Sequence, residues 1–216
     1  MKMEYIAILD YEHLDNGLFL ANLAKAVSRQ KNKGLIIHGD SAYTDRLIQT
    51  GMMREDAQIR AAKDLNHRLV ALFADHGVSS IGLNGYQRSM ISTNGNNIEI
   101  DKALIDSLPS SSLLVLSNIA QITTSEDYSS LPLAILGNSL QNEFKLDELI
   151  VFSTNEQNEI IKSEMPKELS WDSIDAAFQE NYLPEEFHHR KELSLRLLSP
   201  NEFGNYPEIH DSTLIY

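Results

Sequence analysis

The chain alternates short apolar runs with stretches whose apolar positions recur every three or four residues. Tyr5 to Leu9 reads as a short strand. Leu20, Leu23, Ala24 and Val27 then mark one face of a helix, closed by the Asn32-Lys33-Gly34 turn. Leu35-Ile36-Ile37 is a second buried strand running into the turn His38-Gly39-Asp40-Ser41. Asp40 or Ser41 is placed to cap a short helix carrying Leu47 and Ile48, which Gly51 stops. From about Asp56, the residues Ile59, Ala62, Leu65, Leu69, Leu72 and Phe73 line one helical face, and His76-Gly77 is its C-terminal signal. Val78 to Gly85 is the next strand, ending in Gly82-Leu83-Asn84-Gly85.

Beyond Gly85, Met90 to Ile100 holds two apolar runs around Asn94-Gly95, a hairpin signal. Leu104 to Leu108 predicts a short helix ended by Pro109, and Leu113 to Leu116 a buried strand. Gln121 to Ser130 is polar and serine/threonine-rich, which reads as a surface loop. Pro132 suits the first turn of a helix with Leu133, Leu136, Gly137 and Leu140 inward. Leu149 to Phe152 is a strand, followed by Ser153-Thr154-Asn155. Asn158 to Glu168, with Pro166, reads as loop. Ser170 predicts the cap of a helix holding Trp171, Ile174, Ala177 and Phe178, and Glu185 to Leu198 another helix stopped by Pro200. Asp211 to Ile215 is the closing strand. Strand-helix alternation of this kind predicts a three-layer αβα protein with a mostly parallel central sheet.

Composition narrows the picture. The 216 residues suit one domain with a substantial core. Thirty-one acidic against eighteen basic side chains, a net charge of -13, argues against nucleic acid as a partner. Without cysteine, disulfides, thiolate metal sites and thiol catalysis are excluded. No segment reaches the roughly 18 apolar residues of a membrane span, and Met1-Lys2-Met3-Glu4 lacks a signal-peptide core, so the expectation is a cytoplasmic protein with no membrane partner. Seven histidines raise a metal hypothesis, but His188-His189 are adjacent and point apart on a helix. His13, His38, His67, His76 and His210 show no ligand spacing, so no metal site is predicted. Neither a G-x-S-x-G elbow nor a phosphate-loop or dinucleotide fingerprint occurs.

The ordered set G-L-I-I-H-G-D, G-M-M-R-E-D and N-H-R-L-V-A-L-F-A-D-H-G-V-S-S-I-G-L-N-G, from Gly34 to Gly85, resembles the amino acid kinase family and within it the acetylglutamate kinases. The resemblance implies the carbamate kinase-like fold. Residues 1–120 would be the substrate-side lobe and 121–216 a reduced nucleotide-side lobe. It assigns Gly39, Asp40, Ser41, Arg54 and Gly85 to substrate, Ser153, Thr154 and Asn155 to nucleotide, and Arg190 to catalysis. ATP and magnesium would be required if the chain is active, and no cofactor otherwise. Family members commonly dimerise through the helix at about 56–76, where Ala61, Ala62 and Ala71 leave a flat surface. A homodimer with a small carboxylate ligand is therefore expected.

Departures from the family pattern are concentrated where phosphate would bind. The strand lysine falls on Ile8 or Leu9, and the G-G-S turn is replaced by Asp10-Tyr11-Glu12, whose carboxylates repel a triphosphate unless a metal intervenes. The N-A-D asparagine is replaced in Leu131-Pro132-Leu133. Glu186-Phe187 replaces a G-M pair, and Arg190 stands at the lysine position. Two readings remain for each arginine: Arg54 holds a carboxylate or is solvated beside Glu55 and Asp56, and Arg190 is catalytic or pairs with Glu186. Two function classes follow. One is a kinase phosphorylating the carboxylate of N-acetylglutamate or a related N-acyl amino acid, as in arginine biosynthesis. The other is a binding or regulatory pseudoenzyme that keeps the fold and the carboxylate pocket.

Overall fold

A computed structural model describes residues 3–30, 34–125, 127–153 and 165–216. Its centre is an eight-stranded sheet. In chain order the strands are β1 (Ile6–Leu9), β2 (Leu35–His38), β3 (Ser80–Asn84), and, after the hairpin β4 (Ile91–Thr93) and β5 (Ile98–Ile100), β6 (Leu113–Ser117). Then come β7 (Ile119–Ile122), β8 (Tyr128–Ser130), β9 (Leu149–Phe152), β10 (Glu168–Leu169), β11 (Leu195–Leu198) and β12 (Ser212–Ile215). The large sheet runs β10-β12-β11-β9-β1-β2-β6-β3, and β5-β4-β7-β8 form a second, four-stranded sheet. In the large sheet only the β11–β12 pairing is antiparallel.

The central strands are apolar on both faces, as a parallel sheet covered by helices requires. Ile6 and Ile8 join one core while Ala7 and Leu9 join the other. One face is covered by α2 (Gly17–Arg29) and α4 (Arg54–Asp75), which bury Phe19, Leu23, Leu65, Leu69 and Phe73. The other is covered by α6 (Leu133–Phe144), which buries Leu133, Leu136 and Leu140. Three short helices, α1 (Tyr11–Asp15), α3 (Tyr43–Gln49) and α5 (Lys102–Asp106), sit at strand ends, and α7 (Ala176–Tyr182) and α8 (Pro200–Phe203) complete the C-terminal part. This is the three-layer, mostly parallel α/β architecture expected.

Three stretches differ from expectation. Gln121 to Ser130 is not a plain surface loop: Gln121 and Ile122 end β7, and β8 pairs with it. The helix expected from Ser170 is one 3₁₀ turn, Trp171–Ser173, and α7 starts only after Asp175, whose side chain accepts the Phe178 N–H. Glu185 to Leu198 is not a helix. A 3₁₀ turn spans Glu185–Phe187, His189 takes a left-handed φ of 59°, and β11 follows. The reason is periodicity, since Leu193, Leu195 and Leu197 are buried and alternate with partly exposed Ser194 and Arg196. The expected loop at 158–168 and the residues Thr154 and Asn155 fall largely or wholly outside the described residues.

Candidate functional site

Strands β9, β1, β2, β6 and β3 all point the same way. Their carboxyl ends therefore gather Ser153, Asp10, Gly39 to Ser41, Ser117-Asn118 and Asn84-Gly85 along one rim, where open α/β sheets bind ligands.

At the β1 end the chain turns at once into α1. Asp10 is buried at the N-cap of α1, where the nearby backbone N–H groups of Tyr11 and Glu12 favour its charged form. Its own N–H donates to His13 Nδ1 at 3.3 Å. His13 Nε2 then donates to the Ser153 carbonyl at 3.3 Å, and the ring stacks on Phe19 at 4.3 Å. Only the Nε2–H tautomer satisfies both bonds. The start of α1 thus lies beside the chain's own carboxylate, and His13 ties this turn to the end of β9. Burial raises the Asp10 carboxyl from 3.8 to about 6, with Glu186 and Glu12 adding like charge. Burial lowers His13 to about 4.

A second carboxylate faces it. The 3₁₀ turn carrying Glu186 is anchored by the fully buried Phe187. Glu186 Oε2 accepts the Leu133 N–H at 2.6 Å and the Ala134 N–H at 3.4 Å, at the N-terminus of α6. A negative group is favoured there by the unpaired N–H groups and the helix dipole. Burial nevertheless raises the Glu186 pKa, with Asp40 adding like charge. Arg190 is the cation that lowers it. Arg190 Nε donates to the Glu186 carbonyl at 3.2 Å, and its guanidinium lies 3.7 Å from Glu192.

On the same rim, just past the end of β6, lies Asn118, 4% exposed. Its Nδ2 donates to Ser130 Oγ at 2.9 Å and to the Leu131 carbonyl at 2.7 Å, while its buried Oδ1 has no partner among the described residues. A Cβ added to Gly39 would stand 3.4 Å from Asn118 Nδ2 and 3.5 Å from Leu133 Cδ1, in ordinary contact with both. Asn118, Asn66, His13 and Glu186 are the features a reading by resemblance did not assign. For Asn118 the signal was present: Ser117-Asn118 is a polar pair closing an apolar strand run.

Beneath the Gly39 turn is a buried network. His38 Nδ1 donates to the Gly39 carbonyl at 2.9 Å, and Asn66 Nδ2 donates to His38 Nε2 at 3.1 Å. The same Nδ2 approaches the carbonyls of Leu83 and Val115 at 3.2 and 2.9 Å. One amide on α4 therefore fixes β2, β3 and β6 together, and burial holds His38 neutral with a pKa near about 4.

The expected site residues separate into groups. Gly39, Asp40 and Ser41 lie together, but Asp40 accepts from Thr44 Oγ1 at 3.0 Å and Ser41 Oγ accepts the Tyr43 N–H at 3.2 Å. Gly85 is a packing glycine, since a Cβ there would meet the Ile119 carbonyl at 2.6 Å. Ser153 offers its carbonyl to His13. Arg54 opens α4 and is exposed, and among the described residues no hydrogen bond or ion pair joins it to the Gly39 turn. It precedes Asn66 by twelve residues, roughly 18 Å of helix axis. Arg190 is off any helix, so its expected partner four residues back is reached through the Glu186 carbonyl. Ala61 and Ala62 are buried within the protein and face its own core; only Ala71 of the three alanines is exposed. A cavity of about 340 Å³ between α2 and α4, lined by Leu14, Leu20, Leu69 and Leu72, includes Ala71 but none of the residues expected to bind substrate or nucleotide. Among the described residues no group of three or more His, Asp or Glu side chains could by itself hold a metal ion. None of the helices is long and apolar enough to cross a membrane, among the described residues.

No protein-family profile matches the chain, and no curated protein matches it by sequence. Solved structures do. An isopentenyl phosphate kinase is similar with a TM-score of 0.66 at 12% identity, covering 98% of this chain and 99% of that one. Aspartate kinase from Synechocystis gives 0.69 at 12% identity over 98% of this chain and 39% of its own. N-acetylglutamate synthase from Neisseria gonorrhoeae, complexed with coenzyme A and N-acetyl-glutamate, gives 0.63 at 14% identity over 98% and 58%. The chain thus spans less than two thirds of the last two. At such identities the likeness establishes the fold, which is the amino acid kinase fold.

Proposed function

We propose that this chain uses the amino acid kinase fold as a ligand-binding or regulatory protein, a divergent relative of the acetylglutamate kinases in which phosphoryl transfer is lost or weak. The observation that carries the reading is the double closure of the rim by internal carboxylates. The buried Asp10 carboxylate stands at the start of α1, and Glu186 takes the first N–H groups of α6. Phosphoryl transfer depends on positioning and on neutralising charge at the transferred group. Here Ile8 and Leu9 fill the strand where a lysine would stand, both buried, and Arg190 is the cation beside Glu186. A fold shared with a synthase bound to coenzyme A and N-acetyl-glutamate, as well as with kinases, is compatible with such a role. A small carboxylate ligand would be met by Arg54, whose guanidinium is free to form two parallel bonds. A homodimer through the exposed side of α4 remains part of the proposal.

The second reading is an active ATP- and magnesium-dependent kinase for the carboxylate of N-acetylglutamate or a related N-acyl amino acid. The partly exposed Arg190 side chain, 36% accessible, favours it. Separate titrations with Mg-ATP and with N-acetylglutamate decide between them. Binding of N-acetylglutamate without Mg-ATP supports the regulatory reading, and tight Mg-ATP binding supports the kinase. Sedimentation at high micromolar concentration tests the dimer, and a monomer there would reject it.

A further inference from the structure

One end of the Asn66 amide is fully used and the other is not. Its Nδ2 lies within hydrogen-bond distance of His38 Nε2 and of the carbonyls of Leu83 and Val115. Carbonyls only accept, so these contacts fix which end of the amide is which. Oδ1 points the other way, and among the described residues no donor reaches it. Asn66 is 1% exposed, and acceptors on side chains so buried are normally paired. This oxygen occupies the direction in which a side chain at position 82 would grow, since a Cβ on Gly82 would run into it. Gly82 leaves that space open on β3, the edge strand of the large sheet. A cavity of about 340 Å³ lies there between α4 and β3, lined by Asn66 and Gly82 with Val70, Ala74, Asn84 and Gln87.

The walls select the occupant. Asn84 Oδ1 accepts the Ser117 hydroxyl at 2.8 Å, and Gln87 Oε1 accepts the Asn84 N–H at 3.4 Å. The Asn84 Nδ2 and Gln87 Nε2 groups are left as donors without a partner among the described residues. The cavity thus offers one acceptor and two amide donors, with no carboxylate, lysine or arginine, and His67 is its one titratable side chain. A charged ligand would find no countercharge there, and a ligand without N–H would leave Asn66 Oδ1 unpaired. A primary carboxamide carries donor and acceptor side by side and no charge. We propose that this cavity binds a small neutral carboxamide. Its N–H donates to Asn66 Oδ1, its oxygen accepts from Asn84 or Gln87, and its apolar body lies on Val70 and Ala74. The occupant bonds the same amide that, through His38, supports the Gly39 turn. This goes beyond the carboxylate-ligand reading, which rests on Arg54 and the rim.

The probes are benzamide, acetophenone and benzoate, which share one ring. Benzamide has both N–H and C=O, acetophenone has the C=O alone, and benzoate has a charge and no N–H. Each is titrated into the full chain and followed by two-dimensional amide NMR. Saturable shifts at Gly82 and the Asn66 side chain are expected with benzamide, binding at least about tenfold weaker with acetophenone, and none with benzoate. Gly82→Ala, which sets a methyl against Asn66 Oδ1, is expected to abolish benzamide binding. Should that variant not fold by circular dichroism, Ala74→Leu, at an exposed helix position on the cavity wall, takes its place with the same expected outcome. No saturable benzamide binding by the folded wild-type protein, equal affinity for acetophenone, or affinity unchanged in the variant used overturns the site. A second copy of the chain seated on this edge would sediment as a dimer that binds benzamide only on dilution, and that result also overturns it.

Discussion

Three buried titratable side chains set how this chain responds to pH, and they do not act in one direction. His13 and His38 each drop from 6.5 to about 4 on folding. The folded chain holds fewer protons there than the unfolded one, so their contribution is full above 6.5 and is lost as pH falls through about 4. Asp10 is raised from 3.8 to about 6, so its contribution is full below 3.8 and lost as pH rises through about 6. At 1.36 kcal/mol per unit each group is worth on the order of 3 kcal/mol, and two histidines outweigh one aspartate. Acidification from pH 7 to 4 is therefore expected to lower stability by a few kcal/mol, read from urea midpoints. Asp10→Asn separates the terms. It keeps an acceptor beside the α1 N–H groups but removes a desolvated charge, so it should stabilise by about 1–3 kcal/mol at pH 8 and leave pH 4 unchanged. A loss of stability at both pH values would mean that Asp10 acts through its geometry and not its charge.

At the level of elements, α4 is fastened to the sheet by an amide as well as by leucines. Asn66 Nδ2, with two hydrogens to give, lies within hydrogen-bond distance of His38 Nε2 and the carbonyls of Leu83 and Val115, all inside the protein. Asn66→Ala leaves those acceptors short of a donor, and a loss of about 2–4 kcal/mol is expected from unpaired buried groups. Gly82 on β3 faces the same side chain, and a Cβ there would run into Asn66 Oδ1 and meet Val70 Cγ2 at 3.0 Å. Gly82→Ala should therefore destabilise alone but cost much less in the Asn66→Ala background, where the amide is gone. Denaturant titration of the double-mutant cycle measures this. Strictly additive losses would show that the two positions are not coupled through the clash. The network also clarifies what the sequence could and could not show. The strand at Leu35 to Ile37 and the long helix after Gly51 were legible because their periodicity is strong. That Asn66, in the middle of that helix, would reach His38 depends on tertiary packing that no local pattern encodes. The Leu193, Leu195, Leu197 alternation was legible, but the preceding Glu185 to Lys191 run favoured a helix on composition and hid it.

For the whole molecule, the fold was readable from strand-helix alternation and from the Gly34 to Gly85 resemblance, and solved structures bear it out at 98% coverage. The rim was only half readable. Its departures, Ile8-Leu9 for lysine and Asp10 and Glu186 for glycines, could be seen in the sequence, whereas their consequence could not. Only the folded chain shows Glu186 receiving the N–H groups at the start of α6 and Asp10 buried at the start of α1, close enough for Glu186 to raise its pKa. That arrangement sets the prediction for catalysis. Removing one well-placed transition-state donor typically slows an enzyme 10²–10³-fold. Here internal carboxylates stand at two helix starts, and the strand cation is missing. ATP-dependent phosphorylation of N-acetylglutamate is accordingly expected to be absent, or at least about a thousandfold below that of a competent enzyme. A hydroxamate or ADP-release assay across several N-acyl amino acids measures it. Glu186→Ala sharpens the test, because it empties the α6 start of its carboxylate and leaves Arg190 facing only Glu192. If closure by Glu186 is what suppresses transfer, turnover should rise in that variant while the fold is retained. Robust turnover by the wild-type chain, lost on Arg190→Ala, would instead identify a kinase whose phosphate contacts have been rebuilt around an arginine.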